Sequence, residues 1–241
     1  MNRKALIIYC TETDSGPLTG PKMDNNNIRE YLKSDVGGQW DDDEIISLEN
    51  PTISQVRRCI ANEFVGVDYS FIVFSGHGYI DESDNKDYLE VANGDIPLSM
   101  LIPSVVPRQT LIIDACRGYY SRINDSSQKR FSNLYEYFSG HPDTRTVFDS
   151  AVCQAEEGLT ILYSASENQS SLDTNKGGAY LYSLLSICKE WEEVVKNRNV
   201  YLDLKDAHDY ACKYLKDNFN TIQRPTMNME KRRTYFPIAV M

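Results

Sequence analysis

Thr110-Leu111-Ile112-Ile113-Asp114-Ala115-Cys116-Arg117-Gly118 carries four apolar or β-branched residues straight into an acid, a thiol and a turn-prone Arg-Gly. A short continuous apolar run of this kind fits a strand buried on both faces, and such strands belong to parallel sheets covered by helices. Phe71-Ile72-Val73-Phe74-Ser75-Gly76-His77-Gly78 repeats the plan, with a glycine-flanked histidine in place of the thiol. Open α/β sheets place their sites beyond the carboxyl ends of the strands, which is where both unusual residues fall.

Working outward, Ala5–Tyr9 and Leu159–Tyr163 are further runs of the same type, and helical patterns lie between them. Thr52 and Gln55 form a capping box ahead of Val56, Cys59, Ile60 and Phe64. Gly177-Gly178 precedes a helix with Leu181, Leu184, Leu185, Cys188, Trp191 and Val195 on one face. Asp203 caps another, striped by Leu204, Ala207, Ala211 and Leu215, and Tyr235–Val240 reads as an edge strand that tolerates Pro237. The alternation predicts an α/β domain with parallel strands covered on both faces. The segment from Tyr119 to Glu157 is the one long excursion, polar and turn-prone, with a single short apolar stretch at Phe131–Phe138.

The chain has 241 residues, 41% hydrophobic and 25% charged, which suits one globular core. A net charge of −10 argues against nucleic acid as a bulk partner. Lys231, Arg232 and Arg233 form the only short basic cluster. The run Ala5–Tyr9 is too short for a signal peptide, and no segment reaches the roughly 18 apolar residues that cross a bilayer. The expectation is a cytosolic protein with no membrane contact. Six scattered cysteines without CxxC spacing fit reduced, mostly buried thiols. The acidic stretches Asp41–Glu44 and Asp81–Asp87 read as solvated loops; the second lacks the glycine of an EF-hand, Lys86 standing in its place. No two histidines share metal-ligand spacing, so no metal site is predicted.

In an extended strand Asp114 and Cys116 point to one face. A carboxylate beside a thiol disfavours the thiolate, so Asp114 is expected to have another task, such as holding a cationic substrate group. A histidine near Cys116 would offset that cost by acting as its base. Gly78 follows His77 and leaves its amide free to approach a developing oxyanion. The other histidines, His141 and His208, read as bystanders.

Ser75-Gly76-His77-Gly78 followed by Asp114-Ala115-Cys116-Arg117-Gly118 resembles the caspase-like cysteine peptidases, which include caspases, metacaspases and prokaryotic relatives. The caspase signature has glutamine two positions before the cysteine and its histidine roughly 50 residues upstream. Here Asp114 replaces the glutamine and the spacing is 39 residues; the aspartate is similar to the metacaspase pattern. The resemblance extends to Leu18–Asp24, to Ser164–Gln169 and to Gly177–Tyr180, in the family's order.

That resemblance implies a caspase-hemoglobinase fold, with a mostly parallel sheet of about six strands and helices on both faces. It implies one domain over residues 1–241, divided into a large-fragment part (1–118), a linker (119–157) and a small-fragment part (158–241). His77 would be the general base, Cys116 the nucleophile, and the amides of Gly78 and Cys116 the oxyanion donors. Asp24, Asp114 and Ser166 would line the S1 pocket, giving cleavage after Arg or Lys in a protein or peptide substrate. Asp24 has a competing reading as a helix N-cap. Arg122, Lys129, Arg130 and Arg145 are candidate processing sites. No cofactor is required; calcium is a candidate activator, and a regulatory partner chain is a candidate too. The alternatives are a related peptidase with another P1 preference and a catalytically silent binding scaffold.

Overall fold

A computed structural model of the chain describes residues 1–118, 143–195, 199–229 and 233–241. Six strands form the central sheet: β1 (Arg3–Tyr9), β2 (Ile45–Glu49), β3 (Tyr69–Ser75), β7 (Arg108–Asp114), β8 (Gly158–Tyr163) and β9 (Thr226–Met229). Between β3 and β7 a separate three-stranded antiparallel sheet is built from β4 (Gly78–Asp81), β5 (Lys86–Val91) and β6 (Gly94–Pro97). The order across the central sheet is β9-β8-β7-β3-β1-β2. All neighbours are parallel except β8 with the edge strand β9.

The four apolar runs became the four inner strands because both faces of each are covered. On one face Ala5, Ile7, Phe71, Val73 and Ile112 pack under helices α1 (Gly20–Lys33), α3 (Thr144–Gln154), α4 (Ala179–Val194) and α5 (Leu204–Asn218). On the other, Leu6, Ile8, Ile72, Phe74, Leu111 and Ile113 pack under α2 (Ile53–Glu63) and the small sheet. The alternation along each strand therefore divides one sheet between two cores.

The helix starts follow their caps. Thr52 accepts from the Gln55 amide and Gln55 returns a bond to the Thr52 amide. The Asp203 carboxylate accepts from Asp206. Pro237–Val240 forms the edge strand read from the sequence, buried and paired with Tyr201–Asp203 in a separate two-stranded sheet. Two expectations are corrected. Asp24 lies inside α1, whose N-cap is Thr19, so it does not cap the helix. The excursion ends in α3, which buries Phe148, Ala151 and Val152. Arg145 therefore sits on a helix, not in an open linker, with its guanidinium 2.6 Å from Glu44 and 3.0 Å from Asp41. Glu44 also meets the fully buried Arg3, so the first acidic stretch is partly a structural clamp. Arg122, Lys129, Arg130, His141 and the Phe131–Phe138 stretch lie outside the described residues.

Candidate active site

Register builds the site. β3 and β7 pair in parallel with Ser75 opposite Asp114, and the Gly76 amide donates to the Asp114 carbonyl at 3.2 Å. His77 and Cys116 each stand two residues past that pair, at matched positions on neighbouring strands. Adjacent strands are about 4.8 Å apart, so the histidine and the thiol both follow neighbouring strands at the carboxyl edge of the sheet. Gly78 is packed against the same backbone: a Cβ there would lie 3.0 Å from the Ala115 methyl and 3.2 Å from the Cys116 carbonyl.

His77 Nε2 lies 3.2 Å from the carbonyl of Gly16, the first residue after the turn of a short hairpin pairing Glu12–Thr13 with Gly16–Pro17. A carbonyl only accepts, so this contact places the ring proton on Nε2 and leaves Nδ1 as the free base. The Cys116 sulfur accepts the Ser171 amide at 3.3 Å. Burial pushes this thiol above its usual range; the bonds from Ser171 and Ser170 offset that in part, while Asp114 and Asp173 add to it. This environment favours the neutral thiol over the thiolate.

Behind the thiol lie two carboxylates. Asp24 accepts from the Ser75 hydroxyl at 2.6 Å and from the Gly178 amide at 2.9 and 3.1 Å. Asp114 accepts from the Ser171 hydroxyl at 2.6 Å and the Leu181 amide at 3.3 Å. They are 1% and 5% exposed, so anything binding them must come from within the fold or displace part of it. Both are pushed above the usual carboxylate range, first by burial; the charge of Asp114 raises Asp24 further. Glycine is required beside them, since a Cβ on Gly177 would stand 2.0 Å from Asp24 and one on Gly178 2.1 Å from Asp114. Ser166 is not brought to this pair; its hydroxyl donates to Gln169 at 2.7 Å.

Several contributors were missed in the sequence. Ser171 bridges Cys116 and Asp114, and Gln223 holds it through Nε2 at 3.2 Å while bonding Leu172 and Ser164. Both lie in polar loops, where composition gives no sign of which serine or glutamine faces inward. Arg117, in the quoted motif, forks onto Asp87 at 2.7 and 3.2 Å and stacks 4.0 Å over the Tyr163 ring, pinning the chain just after the thiol. Asp87 therefore belongs to this clamp and not to a solvated loop. His208 is buried against Tyr180 on α5, away from the dyad. Among the described residues no group of three or more His, Cys, Asp or Glu is arranged to hold a metal, and no helix is long and apolar enough to cross a membrane.

A family model described as the caspase domain matches residues 2–237. Among solved structures, caspase-1 from Spodoptera frugiperda is similar with a TM-score of 0.60 and 15% identity, over 94% of this chain and 86% of that one. No curated protein matches the sequence.

Proposed function

This chain belongs to the caspase family, and on that premise we propose that it is a cysteine endopeptidase with Cys116 as nucleophile and His77 as general base. The observation that supports this reading is the β3–β7 register, in which the pair Ser75–Asp114 stands two residues before His77 and Cys116, together with the contact of His77 Nε2 to a backbone carbonyl. Nδ1 takes the thiol proton, and the thiolate adds to the scissile carbonyl. The amides of Gly78 and Cys116 stabilise the oxyanion. The imidazolium then protonates the leaving amine, giving a thioester that water hydrolyses with His77 again as base. Purified enzyme should turn over peptides, and Cys116→Ala and His77→Ala should each remove that turnover. Full activity in either variant refutes the dyad.

The specificity we propose is for Arg or Lys at P1. Asp24 and Asp114 converge behind the thiol, and a guanidinium or ammonium there would relieve the burial of two like charges. A P1 cation must take the Ser171 hydroxyl's place on Asp114, so binding and movement of the Ser170–Thr174 stretch go together. A peptide library varied at P1 tests this: cleavage mainly after Asp or after an apolar residue refutes it. We further propose processing in the stretch that carries Arg122, Lys129 and Arg130, read by fragment mass in wild type beside Cys116→Ala. Activity measured with calcium and with a chelator tests calcium as an activator.

A further inference from the structure

Glu90 is an acid that the chemistry above leaves unused. It lies in β5, is 9% exposed, and reaches His77 from two sides. Its amide donates to the His77 carbonyl at 3.0 Å, which fixes the backbone of the base. Its carboxylate accepts the Ser15 amide at 3.3 Å and the Ser15 hydroxyl at closer range. Ser15 immediately precedes Gly16, whose carbonyl receives His77 Nε2.

The hairpin that carries that carbonyl is tied at its base, where the Leu18 amide donates to the Thr11 carbonyl at 2.9 Å and the Thr11 and Glu12 amides donate to Asn50. The hairpin bearing it pairs only two residues on each side, too few to be stable alone. Gly16 has φ +116°, a backbone state that side-chain-bearing residues rarely adopt and that nothing local enforces. At the turn end, one residue from Gly16, the grip on Ser15 is what steadies the peptide plane presented to the imidazole. We propose that Glu90 is a positioning residue for His77: by clamping Ser15 it fixes the Gly16 carbonyl, and through it the tautomer and orientation of the base. The inference rests on His77 being that base. Cys10, Tyr79 and Asp95 also face Glu90, so its role is read through the His77 ring and not through a stability change alone.

Glu90→Gln keeps the side-chain shape but loses one acceptor, and Ser15→Ala removes the hydroxyl from an exposed turn. In each, kcat should fall about 10- to 100-fold, the scale of a displaced catalytic group, with KM changed less than about threefold. The double variant should be no slower than Glu90→Gln, because both act through one link. Nitrogen-15 spectra of the imidazoles, with His77 assigned by His77→Ala, should show the Nε2–H form in wild type and a tautomer mixture in the variants. Unchanged kcat, an unchanged tautomer, or single effects that multiply in the double variant would overturn the proposal. Wild type without turnover, but with a tautomer that responds to Glu90→Gln, refutes the peptidase and leaves the positioning link standing. Should Glu90→Gln not fold, Ser15→Ala carries the same readouts.

Discussion

Asp114→Asn should make the protein more stable and a worse enzyme toward arginine, and both magnitudes follow from its contacts. The amide can keep the Leu181 bond on its oxygen and turn its NH2 to the Ser171 hydroxyl, which needs only to rotate. That hydroxyl also receives Gln223 Nε2, so its own proton loses the carboxylate acceptor: one hydrogen bond is given up as a buried charge disappears. Replacing such a charge by a neutral group of equal size is worth about 1–3 kcal/mol, or about 3–10 °C for a chain of this length. The sign follows from the raised folded-state value: the carboxyl's contribution is intact below its unfolded pKa and becomes a penalty as pH rises through the folded one. The gap between variant and wild type should therefore widen from pH 4 to pH 7. Against a P1 Arg peptide, losing one of two facing carboxylates costs about 2–5 kcal/mol, or about 30- to 3000-fold in kcat/KM. A P1 citrulline peptide, neutral but of the same shape, should lose little. The assay is kcat/KM for the matched pair beside thermal unfolding across pH. An unchanged arginine-to-citrulline ratio would refute the acidic pocket, and a variant less stable at pH 7 would refute the reasoning about the buried charge.

Alkylation of Cys116 by iodoacetamide in the resting protein should keep accelerating with pH beyond the ordinary thiol range, because burial and acidic neighbours raise this thiol; Asp114→Asn should shift the midpoint down. A midpoint in the usual range, followed with the other accessible cysteines replaced, contradicts that. Arg117→Met loses the fork onto Asp87 and the stack on Tyr163, so urea unfolding should show a loss of about 2–4 kcal/mol. An unchanged midpoint would show the clamp to be idle. Arg3→Met strands the Gly38 carbonyl and takes one partner each from Glu44, Asp149 and the Gln39 carbonyl; a cost of about 3–5 kcal/mol should lower the melting temperature by about 10 °C or more. A shift under about 2 °C would mean that the buried cation contributes nothing.

The inner strands were legible because burial on both faces leaves an apolar run that no amphipathic helix imitates, as in Phe71–Phe74 and Leu111–Ile113. β2 was not: it is an edge strand with a half-buried pattern, and Ile45–Glu49 carries no run of that kind. Helix α1 also escaped, since its buried positions include Asp24 and Asn25, which periodicity scores as polar. At the site, His77 and Cys116 stood out because a glycine-flanked histidine and a strand-tip cysteine are poor packing choices. The side chains of Ser171, Gln223 and Glu90 reach the site through partners more than 50 residues away in the chain, and a linear reading offers no signal for such contacts.

The parts of this site are also ordered in time. Asp24, His77 and Cys116 leave the ribosome first, on β-strand ends and a helix from the front half of the chain. Ser171, Gly178 and Gln223, which bury the thiol and occupy both carboxylates, come from the last third. A chain ending at Gly118 would therefore carry Asp24, His77 and Cys116 without the residues that cover them here. The cover over the Cys116 thiol is thus supplied by the last third of the chain, whereas Asp24 is supplied by its first helix.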